Sequence, residues 1–291
     1  MDGLIRAGNI RRDAAGVLSK AGISQPSLEA DRIICHLLRW DRASLHAHPE
    51  RLIGRRDAGL VMDLAARRAS GEPLAYIIGF SLFMGRKFSV GNTLIPRPET
   101  EILTSIADEC IKKSPRPGVL ADWCTGSGCI AITLAADNPD WTVYAVDSSR
   151  DALRTASVNC LSHNVSERVV FVECESPDAS AQIIGDGALD FVVSNPPYIP
   201  TSVIDTLEKQ VRDYEPRAAL DGGADGLDVC RLLLRELPRL MKDGAALLME
   251  TGGAGQVTAL AGLSRGSERG LKFVRSFKDH RGIDRFMLWI K

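Results

Sequence analysis

Over the first 70 or so residues the apolar positions recur at helical spacing. Leu4, Ala14, Val17 and Leu18 form one series, and Ile33, Ile34, Leu37 and Leu38 another. Ser27-Leu28-Glu29-Ala30-Asp31 precedes the second series with a capping serine and an acidic first turn. Arg55 to Arg68 predicts a further helix, with Leu60, Val61 and Leu64 facing inward. These stretches predict a small helical bundle. From Leu74 the pattern changes. Tyr76-Ile77-Ile78-Gly79-Phe80 and the run from Leu82 to Val90 are rich in aromatic and β-branched residues around a turn, and predict a hairpin. In Ile95-Pro96-Arg97-Pro98-Glu99-Thr100-Glu101, two prolines bracket an arginine. The acidic run then opens a helix through Ile102, Leu103 and Ile106.

From Gly118 short apolar runs alternate with helical stretches. The predicted strands are Val119 to Trp123, Thr142 to Asp147, Val169 to Glu173, Leu189 to Ser194 and Ala245 to Glu250, with a terminal pair at Lys272 to Phe277 and Arg285 to Ile290. Helices are predicted over Cys129 to Asp137, Asp151 to Leu161 and Leu227 to Leu240. Repeated β-α-β units predict an α/β fold with a doubly wound, mostly parallel sheet. The expected organisation is a helical domain over 1–73, a β-hairpin linker over 74–98 and an α/β domain over 99–291.

Composition narrows the function classes. Acidic and basic residues nearly cancel, 37 against 36, so no broad basic surface for nucleic acid is implied and direct nucleic-acid binding is not expected. No apolar stretch approaches the roughly 20 residues of a membrane span. Met1-Asp2-Gly3-Leu4-Ile5-Arg6 has no hydrophobic signal core. The seven cysteines are scattered without CxxC spacing, which points to a reducing cytoplasm and to no metal site.

The candidate chemistry sits at strand ends. Cys124-Thr125-Gly126-Ser127-Gly128 is a tight turn after the first α/β strand, where glycine lets a ligand approach the backbone. Asp147 closes the second strand about 20 residues later and suits a ribose diol. That pair fits NAD, FAD or S-adenosylmethionine. The turn is not GxGxxG. Asp122 stands ahead of it, where an acid serves the amino-acid end of S-adenosylmethionine. The fourth strand ends in Asn195-Pro196-Pro197-Tyr198, which suits a nitrogen acceptor for a methyl group. Asn195 and the Pro196 carbonyl offer two adjacent acceptors for the hydrogens of one NH2 group. Tyr198 offers a flat face for a planar amide or base. The same four residues also make a plain strand-ending turn.

At this point the chain resembles a known family. Gly71-Glu72-Pro73-Leu74-Ala75-Tyr76-Ile77-Ile78-Gly79, Phe83-Met84-Gly85, Leu94 to Glu101, Asn195 to Tyr198 and Tyr214-Glu215-Pro216-Arg217-Ala218-Ala219-Leu220 are similar to the release factor glutamine methyltransferases. The likeness runs over essentially the whole chain. It implies a class I methyltransferase fold preceded by a helical bundle. It also implies N5-methylation of the glutamine in the Gly-Gly-Gln loop of class I peptide chain release factors, with S-adenosylmethionine as donor and S-adenosylhomocysteine as product. Asn195, Pro196 and Tyr198 would be catalytic. Asp122, Thr125, Gly126, Ser127, Gly128, Asp147, Glu175 and Asn195 would hold the cofactor, Glu175 at the adenine amino group. Asn195, Pro196, Pro197, Tyr198, Arg97 and Glu99 would meet the substrate, and the bundle would help hold the release factor. A cytoplasmic monomer is expected.

The chain departs from the family pattern at three places. Cys124 replaces the first glycine of Asp-x-Gly-x-Gly-x-Gly. Cys174-Glu175-Ser176 stands where an aspartate and an aromatic are usual. Glu250-Thr251-Gly252 replaces Glu-His-Gly. Two other acceptors present the same planar NH2, a ribosomal-protein glutamine and an adenine amino group. A further reading is a non-catalytic binding module with a degenerate cofactor site.

Overall fold

The computed structural model describes residues 3–114, 117–263 and 270–291. The chain forms two compact units. The first comprises residues up to Phe80 together with Glu208–Tyr214. It holds helices α1 (Ala7–Lys20), α2 (Pro26–Leu38), α3 (Arg42–Ala47), α4 (Arg55–Ala69) and α5 (Leu74–Ile78), with a small antiparallel pair of strands β1 (Ile5–Arg6) and β2 (Leu52–Ile53). Its core is Ala14, Leu18, Ile33, Ile34, Val61 and Ala65 with their neighbours.

Three expectations for this unit are corrected. Leu60 is exposed, because the inward stripe of α4 is Ala58, Val61, Ala65 and Arg68, one residue out of phase with the leucines. Ser27 does not cap α2, which starts at Pro26 with Gln25 as its N-cap, and the acid further on, Asp31, faces inward. It is fully buried and accepts hydrogen bonds from Arg11 at 2.5 Å and Arg42 at 3.0 Å, with His46 at 2.6 Å. Burial opposes its ionisation, but hydrogen bonds from Arg11, His46 and Arg42 outweigh it and hold the carboxyl below its usual range. Leu74–Ile78 is a helical turn rather than a strand. The Pro73 carbonyl accepts from the N–H groups of Tyr76 and Ile77, and Gly79 ends the turn in the left-handed region at φ 76°. Proline before and glycine after outweigh the β-propensity of Tyr-Ile-Ile.

The second unit comprises Ser81–Leu207 and Glu215–Lys291. A two-stranded ribbon, β3 (Phe80–Phe83) and β4 (Arg86–Ser89), leads into α6 (Pro98–Lys112). The main sheet then alternates with helices: β5 (Gly118–Trp123), α7 (Cys129–Asp137), β6 (Trp141–Asp147), α8 (Arg150–Ser162), β7 (Val169–Glu173), α9 (Pro177–Ile184) and β8 (Leu189–Ser194). After short helices α10 (Thr201–Ile204) and α11 (Lys209–Arg212, part of the first unit) come α12 (Asp228–Leu240), β9 (Met241–Glu250), α13 (Ala254–Leu263), β10 (Lys272–Lys278) and β11 (Asp284–Ile290).

The seven strands lie in the order β10-β11-β9-β8-β5-β6-β7. All neighbours are parallel except β11, which runs antiparallel to β9 and β10. Alternate residues serve opposite faces. Phe191, Val193, Leu248, Phe286 and Leu288 pack with α6 and α7 on one side. Val192, Leu247, Met249, Met287 and Trp289 pack with α12 and α13 on the other. Burial on both faces accounts for the near-continuous apolar runs in the sequence. Chain order reverses between β5 and β8, and in such sheets ligands bind at the carboxyl ends of the strands flanking that point.

Candidate active site

Strands β5 and β8 pair Asp122 with Val193 and Trp123 with Ser194, so the glycine turn and Asn195 leave the sheet side by side. The Ser194 hydroxyl donates to the Trp123 carbonyl at 2.7 Å and ties the two strand ends together. In the turn, the Thr125 N–H donates to the Val146 carbonyl and the Gly126 N–H to Asp147 Oδ2 at 2.9 Å. The Ser149 N–H donates to Asp147 Oδ1 at 2.9 Å. Burial raises the Asp147 carboxyl against these N–H groups.

Asp122 is fully buried. Its Oδ2 accepts from the Thr125 hydroxyl at 2.6 Å and from the Ala131 N–H in the first turn of α7 at 3.1 Å. Its Oδ1 has no partner among the described residues. Burial pushes this carboxyl up to about 7, against the lowering effect of those two donors. Gly128 caps α7 at φ 79°, and a Cβ there would lie 2.8 Å from Ile132 Cδ1 and 2.9 Å from Ala156 Cβ.

Cys124 occupies the left-handed region at φ 64°, which explains the family's glycine at this position. Its side chain packs against the core formed with α12, and burial raises its thiol well above the ordinary value. Cys124→Val, a β-branched residue in a left-handed conformation, is expected to cost about 2 kcal/mol of stability. Cys124→Gly stays within about 1 kcal/mol of the natural protein, because relief of strain offsets lost burial. Urea denaturation of the two variants checks both values.

Asn195 Nδ2 donates to Thr100 Oγ1 at 3.0 Å, and the Thr100 hydroxyl donates to Glu250 Oε2 at 3.0 Å. The Tyr198 hydroxyl donates to Glu250 Oε1 at 3.2 Å. Thr100 and Glu250 are buried. Burial pushes the Glu250 carboxyl up to about 7 and raises the Tyr198 phenol. Neither Asn195 Oδ1 nor the Pro196 carbonyl has a hydrogen-bond partner among the described residues. Gln256 braces the loop, donating from Nε2 to the Tyr198 carbonyl at 2.8 Å and accepting the Gly252 N–H at 2.7 Å.

The remaining expected residues are spread around this centre. Arg97 Nη2 donates to the buried Glu215 Oε1 at 2.5 Å, and the Ile95 N–H donates to Glu215 Oε2 at 3.2 Å. The Leu94–Glu101 and Tyr214–Leu220 stretches thus meet in one ion pair. Glu99 is half-buried in the first turn of α6 and makes no hydrogen bond or ion pair among the described residues. Glu175 is exposed in the turn before α9, while Ser176 caps that helix by accepting the Ala179 N–H at 3.3 Å. Pro197 is half-buried beside Tyr198.

Thr100, Asn159 and Gln256 received no role from sequence. Asn159, buried in α8, donates to the carbonyls of Ser89 and Ser127 at 2.8 Å and accepts the Ser89 N–H at 2.7 Å. It thereby fastens β4 to the glycine turn. A polar residue on the inner side of α8 was the signal for it.

The donor set fits S-adenosylmethionine. The orphaned Asp122 oxygen suits a cationic amino group, and Asp147 at the end of β6 suits a diol. Around Gly126 a Cβ would meet nothing within 4 Å among the described residues, so the turn is open to them on that side. The sheet order, the glycine turn and the Asn-Pro-Pro-Tyr loop together define a class I methyltransferase. The fold is shared with the catalytic domain of hMettl16 solved with MAT2A 3'UTR hairpin 6, at a TM-score of 0.50 and 15% identity over 83% of this chain and 84% of that one.

Residues 9–79 match the family described as the PrmC N-terminal domain, and residues 100–211 the methyltransferase small domain. A release factor glutamine methyltransferase of Nitratidesulfovibrio vulgaris is 40% identical over 99% of this chain and 94% of its own. One from Geobacter sulfurreducens is 36% identical over 93% of this chain and 91% of its own. The chain belongs to the release factor glutamine methyltransferases and is an enzyme. That closes the reading of a degenerate binding module. Among the described residues no helix is long and apolar enough to cross a membrane, and none group as a metal site.

Proposed function

We propose that this enzyme transfers a methyl group from S-adenosylmethionine to the side-chain nitrogen, N5, of the glutamine in the Gly-Gly-Gln loop of class I peptide chain release factors. One observation carries the reading. Two adjacent acceptors, Asn195 Oδ1 and the Pro196 carbonyl, stand without a partner among the described residues beside the glycine turn at the topological switch point. The relatives' shared name supplies the acceptor class.

When bound, S-adenosylmethionine supplies a sulfonium-activated methyl group. Asn195 and Pro196 accept the two amide hydrogens and discourage delocalisation of the nitrogen lone pair. Tyr198 stacks on the amide plane, and orientation supplies much of the rate. Transfer would form the new N–C bond as the C–S bond breaks, and one proton would leave the product nitrogen to solvent. Thr125, Gly126, Ser127 and Gly128 would pass the cofactor with backbone, and Asp122 would meet its amino group, Asp147 its ribose and Glu175 its adenine. Pro197 stiffens the loop. Arg97, steadied by Glu215, and Glu99 meet the chain around the glutamine. The helical unit helps hold the release factor. The compartment is a reducing cytoplasm.

Mass spectrometry of a purified class I release factor incubated with enzyme and S-adenosylmethionine tests the reading. One added methyl on the Gly-Gly-Gln glutamine is expected, and none on a factor carrying Gln→Ala there. An unmodified factor, with cofactor binding intact, overturns the substrate assignment.

A further inference from the structure

The amide of an asparagine has two faces of nearly equal shape, an acceptor oxygen and a donor nitrogen. If Asn195 grips a substrate NH2, its oxygen must face the substrate, and a flipped amide would present hydrogens to hydrogens. Pro196 and Pro197 stiffen the backbone of the loop, but they do not choose between the two amide orientations. The choice is made behind the loop, where Nδ2 meets Thr100 Oγ1 at 3.0 Å.

Thr100 has a single hydroxyl hydrogen. Glu250 Oε2 lies 3.0 Å from Thr100 Oγ1, and the ionised carboxylate accepts only. The threonine hydrogen is therefore committed to Glu250, which leaves Thr100 a lone pair for Asn195. A flipped Asn195 would set oxygen against oxygen in a buried place. Glu250 receives the Tyr198 hydroxyl on its other oxygen, at 3.2 Å. One carboxylate thus orders both polar side chains of the loop. The charged groups facing it are Glu99 from α6, which disfavours its ionisation, and Arg285 from β11, which favours it. Arg285 is itself held by Asp279 at 2.5 Å. Burial sets the carboxyl at about 7, so the chain of donors has this polarity above neutral pH.

We infer that Thr100 and Glu250 are positioning residues that fix the Asn195 amide with Oδ1 toward the substrate nitrogen. This rests on the reading of Asn195 as the grip on the acceptor amide. Neither residue touches the reacting atoms. Their effect belongs in kcat rather than in the binding of either substrate.

The test uses the full-length enzyme at about pH 8, with Thr100→Val, Thr100→Ser and Glu250→Gln. In 15N-labelled protein, the Asn195 side-chain resonances are identified by their absence from Asn195→Asp. They should be protected from solvent exchange in the natural enzyme and in Thr100→Ser, and unprotected in Thr100→Val. With a release factor as acceptor, Thr100→Val should lower kcat about 10–100-fold, with KM and cofactor Kd within about 3-fold. Thr100→Ser should recover most of that loss. Glu250→Gln should fall between, because its amide cannot accept from both hydroxyls.

Protected Asn195 protons in Thr100→Val, or an unchanged kcat in that variant with the fold intact, overturn the proposal. Should the natural enzyme leave the release factor unmodified, the substrate reading fails. The exchange measurement, which needs no substrate, still decides the positioning.

Discussion

Asn195→Ala is expected to lower kcat for release factor methylation by about 10²–10³-fold, about 3–4 kcal/mol of transition-state stabilisation. The size follows from where the residue stands. It stands at the carboxyl end of β8, and in the proposed mechanism it supplies one of two acceptors for the amide whose nitrogen lone pair must stay free. A protein substrate presents a surface far larger than one side-chain amide, so its KM should change by no more than about 3-fold. Asn195→Asp is the sharper variant. It keeps acceptor oxygens toward the substrate, but presents Thr100 Oγ1 with an acceptor where the natural enzyme presents a donor. It also adds a carboxyl one hydroxyl away from Glu250. One of the two must then hold a proton, and turnover should fall about 10–100-fold. Single-turnover kinetics measures both variants, and near-normal rates in both would remove the amide grip from the mechanism.

The parts of this site that were legible in the sequence are those in which one short run carries its own geometry. Two prolines must end β8. Glycines mark the turn after β5, and an acid about 20 residues on marks the end of β6. The network behind the loop was not legible, because its members are far apart in the chain. Asn195 reaches Thr100 across 95 residues, and Thr100 reaches Glu250 across 150. A signal was nevertheless present. Asp122, Asp147 and Glu250 lie on β5, β6 and β9, each a carboxyl at the end of a run of apolar positions. Cofactor motifs include the first two, while Glu250 enters the sequence pattern only within an altered tripeptide. In the helical unit, Asp31 reads in sequence as an ordinary helix acid, and in the structure Arg11, Arg42 and His46 converge on it. Composition cannot separate a solvated acid from a buried one when its partners come from other helices.

Asp122→Asn is expected to make the cofactor-free protein more stable at about pH 8 while weakening S-adenosylmethionine binding. Burial raises this carboxyl from 3.8 to about 7 in the folded protein. Below about pH 4 the folded and unfolded chains both hold the proton, and no penalty arises. As pH rises from there to about 7, the unfolded chain releases its proton while the folded chain keeps it. Stability falls across that window and levels off above it, by on the order of 4 kcal/mol. Glu250, raised from 4.5 to about 7, adds a loss of the same sign. Asparagine at 122 removes the charge. Its oxygen still accepts from Thr125 and Ala131, and its nitrogen takes the orphaned position of Oδ1. A buried unpaired NH2 costs about 1–3 kcal/mol, so the net gain near pH 8 is about 1–3 kcal/mol. That corresponds to a rise in Tm of about 2–6 °C. At about pH 4 the gain vanishes and only the cost remains, so the variant should melt below the natural enzyme. In the proposed binding mode the cofactor's amino group loses its charged partner, which should raise Kd about 10–100-fold. Melting curves of both proteins at the two pH values, with and without S-adenosylmethionine, measure all three effects. A variant less stable than the natural enzyme at pH 8 would mean that the Asp122 carboxylate is already compensated without the cofactor. The gain in affinity from pairing it with a cation would then be small.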